Sequence, residues 1–184
     1  MLTLQSPPEL SQTEAVGGGL YRELLGAEFD QLHPGVQRSL CAPLRARGVA
    51  RVGWGDSRMA SILRMPSPGE DIPVSLEVTS TAKGQRWRRQ FGNDLFLTRQ
   101  RVCKGFLIER VGIAATVLRV EREDDSLRFT SVAGHMLGLC APRTFAPQVD
   151  ALLCGLDENH WHVHVVITTC RRLICQYEAQ IEAV

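Results

Sequence analysis

The sequence predicts an α+β protein: a strongly curved antiparallel β-sheet, a partial barrel, with N-terminal helices packed against it. Three observations lead there. After Pro73 the chain passes through successive runs in which apolar and polar residues alternate; short Gly, Asn and Asp turn signals separate those runs; and before residue 65 apolar residues recur at helical spacing. Strands joined by such short turns pair antiparallel, because a parallel return needs a long crossover. A long succession of hairpins twists and curls, and its concave face must then be filled by the helices or by a ligand.

The elements follow in order. Residues 1–19 read as a flexible leader, polar at Gln5, Glu9 and Glu14, broken by two prolines, and ending in the hinge Gly17-Gly18-Gly19. Leu20, Leu24, Leu25 and Phe29 fall on one helical face, and Pro34 suits the first turn of a second short helix over residues 35–41. Residues 48–54 have β character. Asp56 or Ser57 can cap a helix over residues 58–65, which Pro66 and Pro68 stop. Residues 20–65 are thus the helical segment of a single α+β domain spanning 20–184. Its β-meander, 74–184, contains strands at 74–81, 85–91, 95–111, 115–121, 127–132, 160–169 and 173–181. Turns fall at 82–84, 92–94, 124–125 and 157–159, and the run 136–149, with Pro142 and Pro147, reads as a crossing loop or short helix.

Bulk composition excludes several classes. With 184 residues, 44% hydrophobic and 22% charged, the chain can build a substantial core and is not disordered in the main. A formal charge of +1 gives no global reason to expect nucleic acid or an anionic membrane as partner. No export signal and no bilayer-length apolar stretch is visible, so a cytoplasmic setting without membrane insertion is expected. The six cysteines show no Cys-x-x-Cys spacing and are expected to be reduced, mostly buried thiols rather than disulfides or metal ligands. No nucleophile elbow, Walker sequence or dinucleotide fingerprint occurs, and no cofactor or metal is predicted.

The candidate site comes from strand alternation. In residues 85–91, Trp87, Arg89 and Phe91 share one face and Arg86, Arg88 and Gln90 the other. Two aromatics mark the first face as buried, which places the Arg89 guanidinium on the core side, where it requires an anion or polar partner. Leu107, Glu109 and Val111 share a face, with Phe106, Ile108 and Arg110 opposite, and the inward side is ambiguous. If Leu107 faces the core, Glu109 is the natural partner of Arg89, either as an ion pair that fixes strand register or as one lining a cavity. In the last strand Leu173, Cys175, Tyr177, Ala179 and Ile181 form the apolar face, so Tyr177 is a buried phenol that needs a partner. Arg143, between Pro142 and Phe145, reads as a solvated loop arginine, with closing the pocket mouth as the alternative.

Two other patterns carry less weight. His160, His162 and His164 project from one face of their strand, a row that reads as decoration of the wetter side, with chelation by two of them as the alternative. Residues 83–104 hold seven basic residues against Asp94, with Trp87, Phe91 and Phe96 interleaved. Alternation puts the aromatics inside and most arginines in solvent, which disfavours nucleic acid as a partner.

Short motifs in a fixed order give a family resemblance: Leu20-Tyr21-Arg22-Glu23-Leu24-Leu25-Gly26 with Phe29 and Leu32; Trp87-Arg88-Arg89-Gln90-Phe91-Gly92; Phe106-Leu107-Ile108-Glu109-Arg110-Val111-Gly112; Pro142-Arg143 with Pro147; and Tyr177. From about Leu20 to Tyr177 the chain resembles the bacterial domain of unknown function 4166 family. The resemblance implies small-molecule metabolism, since members often look like the C-terminal part of chains with a dinucleotide-binding, dehydrogenase-like region. At this length no cofactor domain is expected alongside. It assigns no catalytic residue, but it selects Trp87, Arg89, Phe91, Glu109 and Tyr177, as alternation does. Arg172, Ala179 and the His-rich strand depart from the family pattern.

The function expected from these readings is binding of a small, partly apolar organic molecule in the concavity of the sheet. Trp87, Arg89, Phe91 and Arg143 would bind it, with Arg89 anchoring a carbonyl or carboxylate. Acid–base chemistry on that molecule (isomerisation, cyclisation or dehydration) would use Glu109 as base and Tyr177 or Arg89 as oxyanion stabiliser. The alternative is a non-catalytic module that docks to a larger enzyme or a second copy, its concavity filled by its own side chains.

Overall fold

A computed structural model of the chain describes residues 19–136, 139–142 and 146–184. Two short helices, α1 (Gly19–Leu25) and α2 (Pro34–Leu40), flank a 3-10 segment, Gly26–Gln31. Then come β1 (Leu44–Trp54), α3 (Ser57–Ile62), β2 (Gly69–Thr81), β3 (Gly84–Phe91), β4 (Asp94–Cys103), β5 (Phe106–Val111) and β6 (Ala114–Glu123). The chain ends with β7 (Ser126–Met136), β8 (Leu139–Ala141), β9 (Gln148–Gly155), β10 (His160–Thr169) and β11 (Arg172–Ala183).

The sheet is antiparallel throughout, and it closes. Neighbours run β6-β5-β4-β3-β2-β1-β11-β10-β9-β7, and β7 pairs back onto β6. The result is a closed ten-strand up-and-down barrel, not the partial barrel expected, with β8 lying outside the ring against the end of β7. Closure removes the exposed edges that an open meander would present. Its seam joins β1 to β11 from Ala46↔Ala183 to Trp54↔Cys175.

Several sequence expectations are corrected here. Residues 95–111 form two strands, because Lys104 (φ 52°) and Gly105 (φ 76°) make a two-residue turn with both residues left-handed. Residues 136–149 include β8 and the start of β9; in β9, Val149, Ala151 and Leu153 alternate inward despite the nearby prolines. Within the segment 20–65 the expected helices form, but the strand expected over 48–54 starts earlier, as the eleven-residue β1. The third helix ends at Ile62 rather than residue 65, and Gly19 opens α1 rather than closing a leader. Of the two proposed caps for that helix, Asp56 acts: its Oδ1 accepts from the Arg58 and Met59 amides. Residues 1–18 of the expected leader lie outside the described residues.

The helices close one end of the barrel. Val36 and Leu40 of α2 and Phe29 are fully buried, and Gln85 Nε2 of β3 donates to the Leu40 carbonyl at 3.1 Å. Gly35 is where α2 meets the β9–β10 hairpin: a Cβ there would strike the Asp157 carbonyl and come within 2.6 Å of the His160 carbonyl. Glycine is the residue that permits this approach. At the opposite end the chain after α3 forms a strap, held by Trp54 Nε1 donating to the Pro66 carbonyl (2.7 Å) and the Ser67 amide donating to Asp94 (2.7 Å).

Candidate functional site

A ten-strand ring is wider than its own side chains readily fill. Here the interior holds a cavity of about 790 Å³, walled mainly by aliphatic and aromatic side chains of every ring strand except β1. Leu76, Val163, Val165 and Ile167 give it an apolar lining, and Trp87 and Trp161 both border it.

One wall carries the polar groups. Register pairs Arg89 with Phe96, Trp87 with Thr98, and Gln100 with Glu109, so alternation on three adjacent strands points Arg89, Thr98, Gln100 and Glu109 into the same space. Arg89 donates to Thr98 Oγ1 (3.1 Å) and meets Glu109 Oε1 at 3.4 Å. Gln100 Nε2 donates to the same carboxylate oxygen (3.1 Å), and the Tyr21 hydroxyl donates to Gln100 Oε1 (2.7 Å). The guanidinium carbon lies 4.8 Å from the centre of the Trp87 ring, whose Nε1 donates to Gln85 Oε1. The side chains of Arg89 and Glu109 are each 18% exposed, and both border the cavity, so the capacity left over faces it. No hydrogen bond engages the second Glu109 oxygen among the described residues.

Tyr177 completes the wall from β11, its ring edge-on to Phe91 with centroids 5.4 Å apart. Burial is the main cause that pushes its phenol up to about 12, with Arg89 opposing and Glu109 and Cys175 adding to the rise. Its hydroxyl borders the cavity and makes no hydrogen bond among the described residues. Tyr21 is raised further, first by burial and then by the Glu109 charge, against the opposing effects of Arg89 and the Gln100 hydrogen bond. Both phenols are therefore neutral donors at ordinary pH.

Trp87, Arg89, Phe91, Glu109 and Tyr177 are thus brought together around one cavity. Arg143 lies outside the described residues. Tyr21, Thr98, Gln85 and Gln100 belong to the polar wall and escaped the sequence reading. For Thr98 and Gln100 a signal existed: they alternate with Arg99 and Arg101, which are exposed on the outer face. The histidine row lies on the barrel exterior, where His160 Nδ1 meets Asp157 at 2.8 Å and His164 Nε2 lies 3.8 Å from Glu178. No cluster of three or more metal-ligating side chains occurs among the described residues.

The cavity has a side opening. The pairing of β4 with β5 stops at Arg99↔Arg110, so residues 94–98 of β4 pair only with β3. The β5–β6 hairpin turns back at Gly112 and Ile113, below the tip of the β3–β4 hairpin. The wall is notched there, and Leu95, Leu97, Ile113, Ile62 at the end of α3 and strap residues 63–66 line the cavity's mouth.

Comparison with known proteins agrees with this chain-wide pattern. A family model described as domain of unknown function DUF4166 matches residues 32–180. The chain belongs to this family. The match runs from the residue before α2's cap to residue 180 in β11, so the family unit is the barrel itself with α2 across its end. No curated protein and no solved structure matches the chain. Among the described residues, no helix of this DUF4166 member is long and apolar enough to cross a membrane.

Proposed function

We propose that the barrel binds a small, amphiphilic organic molecule, with its apolar body along the aliphatic wall and its polar head at Arg89, Glu109 and Tyr177. The observation that carries this reading is the open cavity of about 790 Å³ bounded by a single polar wall, a size and lining typical of small-molecule sites. A module that used its barrel only as a scaffold would fill this space with its own side chains, and that favours ligand binding over the docking alternative. Arg89 and Glu109 neutralise each other, so the preferred head is uncharged: a carbonyl or hydroxyl accepting from Tyr177 or Arg89. A free carboxylate would have to displace Glu109 from the guanidinium.

The same geometry supports acid–base chemistry as a second reading. The free Glu109 oxygen is a candidate proton acceptor, and the Tyr177 phenol, held protonated, is a donor aimed into the cavity. An isomerisation, cyclisation or dehydration needs both on one substrate.

Binding is tested by mass spectrometry of small molecules released from purified protein, and by titration with N-phenylnaphthylamine, an uncharged apolar fluorophore, read through Trp87 and Trp161. A retained amphiphile or saturable one-to-one dye binding is expected; an empty protein that takes up no dye overturns the proposal. Once a ligand that turns over is known, Glu109→Gln with undiminished turnover would remove Glu109 as the base.

A further inference from the structure

Two features of the outer surface coincide beside the notch. First, large aliphatic side chains stand in solvent around the opening: Ile62 is 73% exposed, Ile113 63%, Leu95 50% and Leu97 49%. Burying these four is the ordinary outcome, yet all four line the cavity mouth. Second, arginines adjoin them without counter-charge. Register sets Arg88 directly opposite Leu97, and Arg86, Arg99 and Arg110 in a row across β3, β4 and β5. Like charges directly opposite each other destabilise a sheet. None of these four arginines has a carboxylate within ion-pair distance among the described residues. Glu77, across from Arg88, is turned to Arg45 (3.7 Å), and Asp94 at the rim accepts from the Ser67 amide.

We infer that this face docks peripherally on an anionic lipid surface, with Leu95, Leu97, Ile113 and Ile62 seated in the headgroup–acyl boundary and Arg88, Arg99 and Arg110 on lipid phosphates. The chain's +1 formal charge conceals this, because the positive charge is segregated rather than in excess. Aliphatic side chains interleaved with cations are the composition of an interfacial membrane contact. A single-stranded nucleic acid would call for aromatic stacking platforms on the outer face, and those aromatics point inward instead. Docked this way, the notch opens onto hydrocarbon, and an apolar ligand passes between bilayer and cavity without crossing water. That last step rests on the proposed ligand binding; the docking does not.

The experiment is flotation of the full chain with vesicles of phosphatidylcholine alone and of equal parts phosphatidylcholine and phosphatidylglycerol. Co-flotation with the mixed vesicles only, weakening as salt is raised, is expected. Arg99→Glu/Arg110→Glu should lower the partition coefficient by at least about ten-fold, since each basic residue near such a surface contributes roughly five-fold. Leu97→Ser/Ile113→Ser should lower it as well, while Leu156→Ser, an exposed apolar residue at the helix-capped end, should not. All these positions are exposed, and circular dichroism checks that the variants fold. No binding to mixed vesicles at low salt, or equal binding by the rim variants and the parent, overturns the inference. Titration with N-phenylnaphthylamine in the absence of vesicles separates the two claims: a chain that floats but takes up no dye keeps the docking and loses the ligand.

Discussion

Replacing Arg89 by methionine isolates the energetic role of the polar wall. Methionine keeps an unbranched apolar stem beneath Trp87 and removes the charge. Glu109, 18% exposed, then retains only the Gln100 amide as donor. Breaking a fully buried pair costs about 3–5 kcal/mol. Cavity exposure and the surviving hydrogen bond reduce that to about 2 kcal/mol, and loss of the cation over Trp87 adds about 0.5–1 kcal/mol. With a urea slope of about 2 kcal/mol/M, the unfolding midpoint should fall by roughly 1–1.5 M. The double variant Arg89→Met/Glu109→Leu removes the orphaned carboxylate as well and should recover most of the loss, giving a coupling energy of about 1–2 kcal/mol. Urea unfolding followed by tryptophan fluorescence measures the two single variants, Arg89→Met and Glu109→Leu, and the double. A single variant as stable as the parent, or a double variant whose loss equals the sum of the singles, would refute the claim that Arg89 and Glu109 depend on each other.

Three further outcomes are expected. Folded protein should show no tyrosinate absorbance near pH 10, the ordinary phenol range, because Tyr21 and Tyr177, the two tyrosines of the chain, are both raised. Tyr177's contribution to stability is complete below its unfolded pKa and is lost as pH rises toward about 12, and Tyr177→Phe should flatten that decline. Gly35→Ala should push α2 off the β9–β10 hairpin and cost about 1–3 kcal/mol, as overpacking against fixed backbone does; thermal unfolding measures it, and an unchanged Tm would contradict the contact. Val163→Trp fills the cavity from β10 and should abolish N-phenylnaphthylamine binding while the circular dichroism stays that of a β-barrel; undiminished binding would place the dye elsewhere.

Much of the candidate site was legible because strand alternation is local. Trp87, Arg89 and Phe91 must share a face once residues 85–91 are a strand, and the two aromatics say which face is inside. The same logic placed Tyr177 inward and His160, His162 and His164 outward. It failed where the signal is one-sided: β5 is apolar on both faces, so only its pairing with β4 settles that Glu109 points in. It failed also at Lys104-Gly105, a turn within continuous β-forming sequence, and at β9, whose alternation is short and flanked by prolines.

By itself, then, the sequence determined the antiparallel meander and the inward aromatic–arginine face. Tertiary structure alone decided that the sheet closes, that Tyr21 from α1 joins Gln100 and Glu109, and that the wall is notched beside Leu95 and Leu97. The physical reason is one of range. Which residues share a face depends on a two-residue period within one strand, whereas closure and the notch depend on the registers summed around ten strands, and no single stretch of chain encodes that sum.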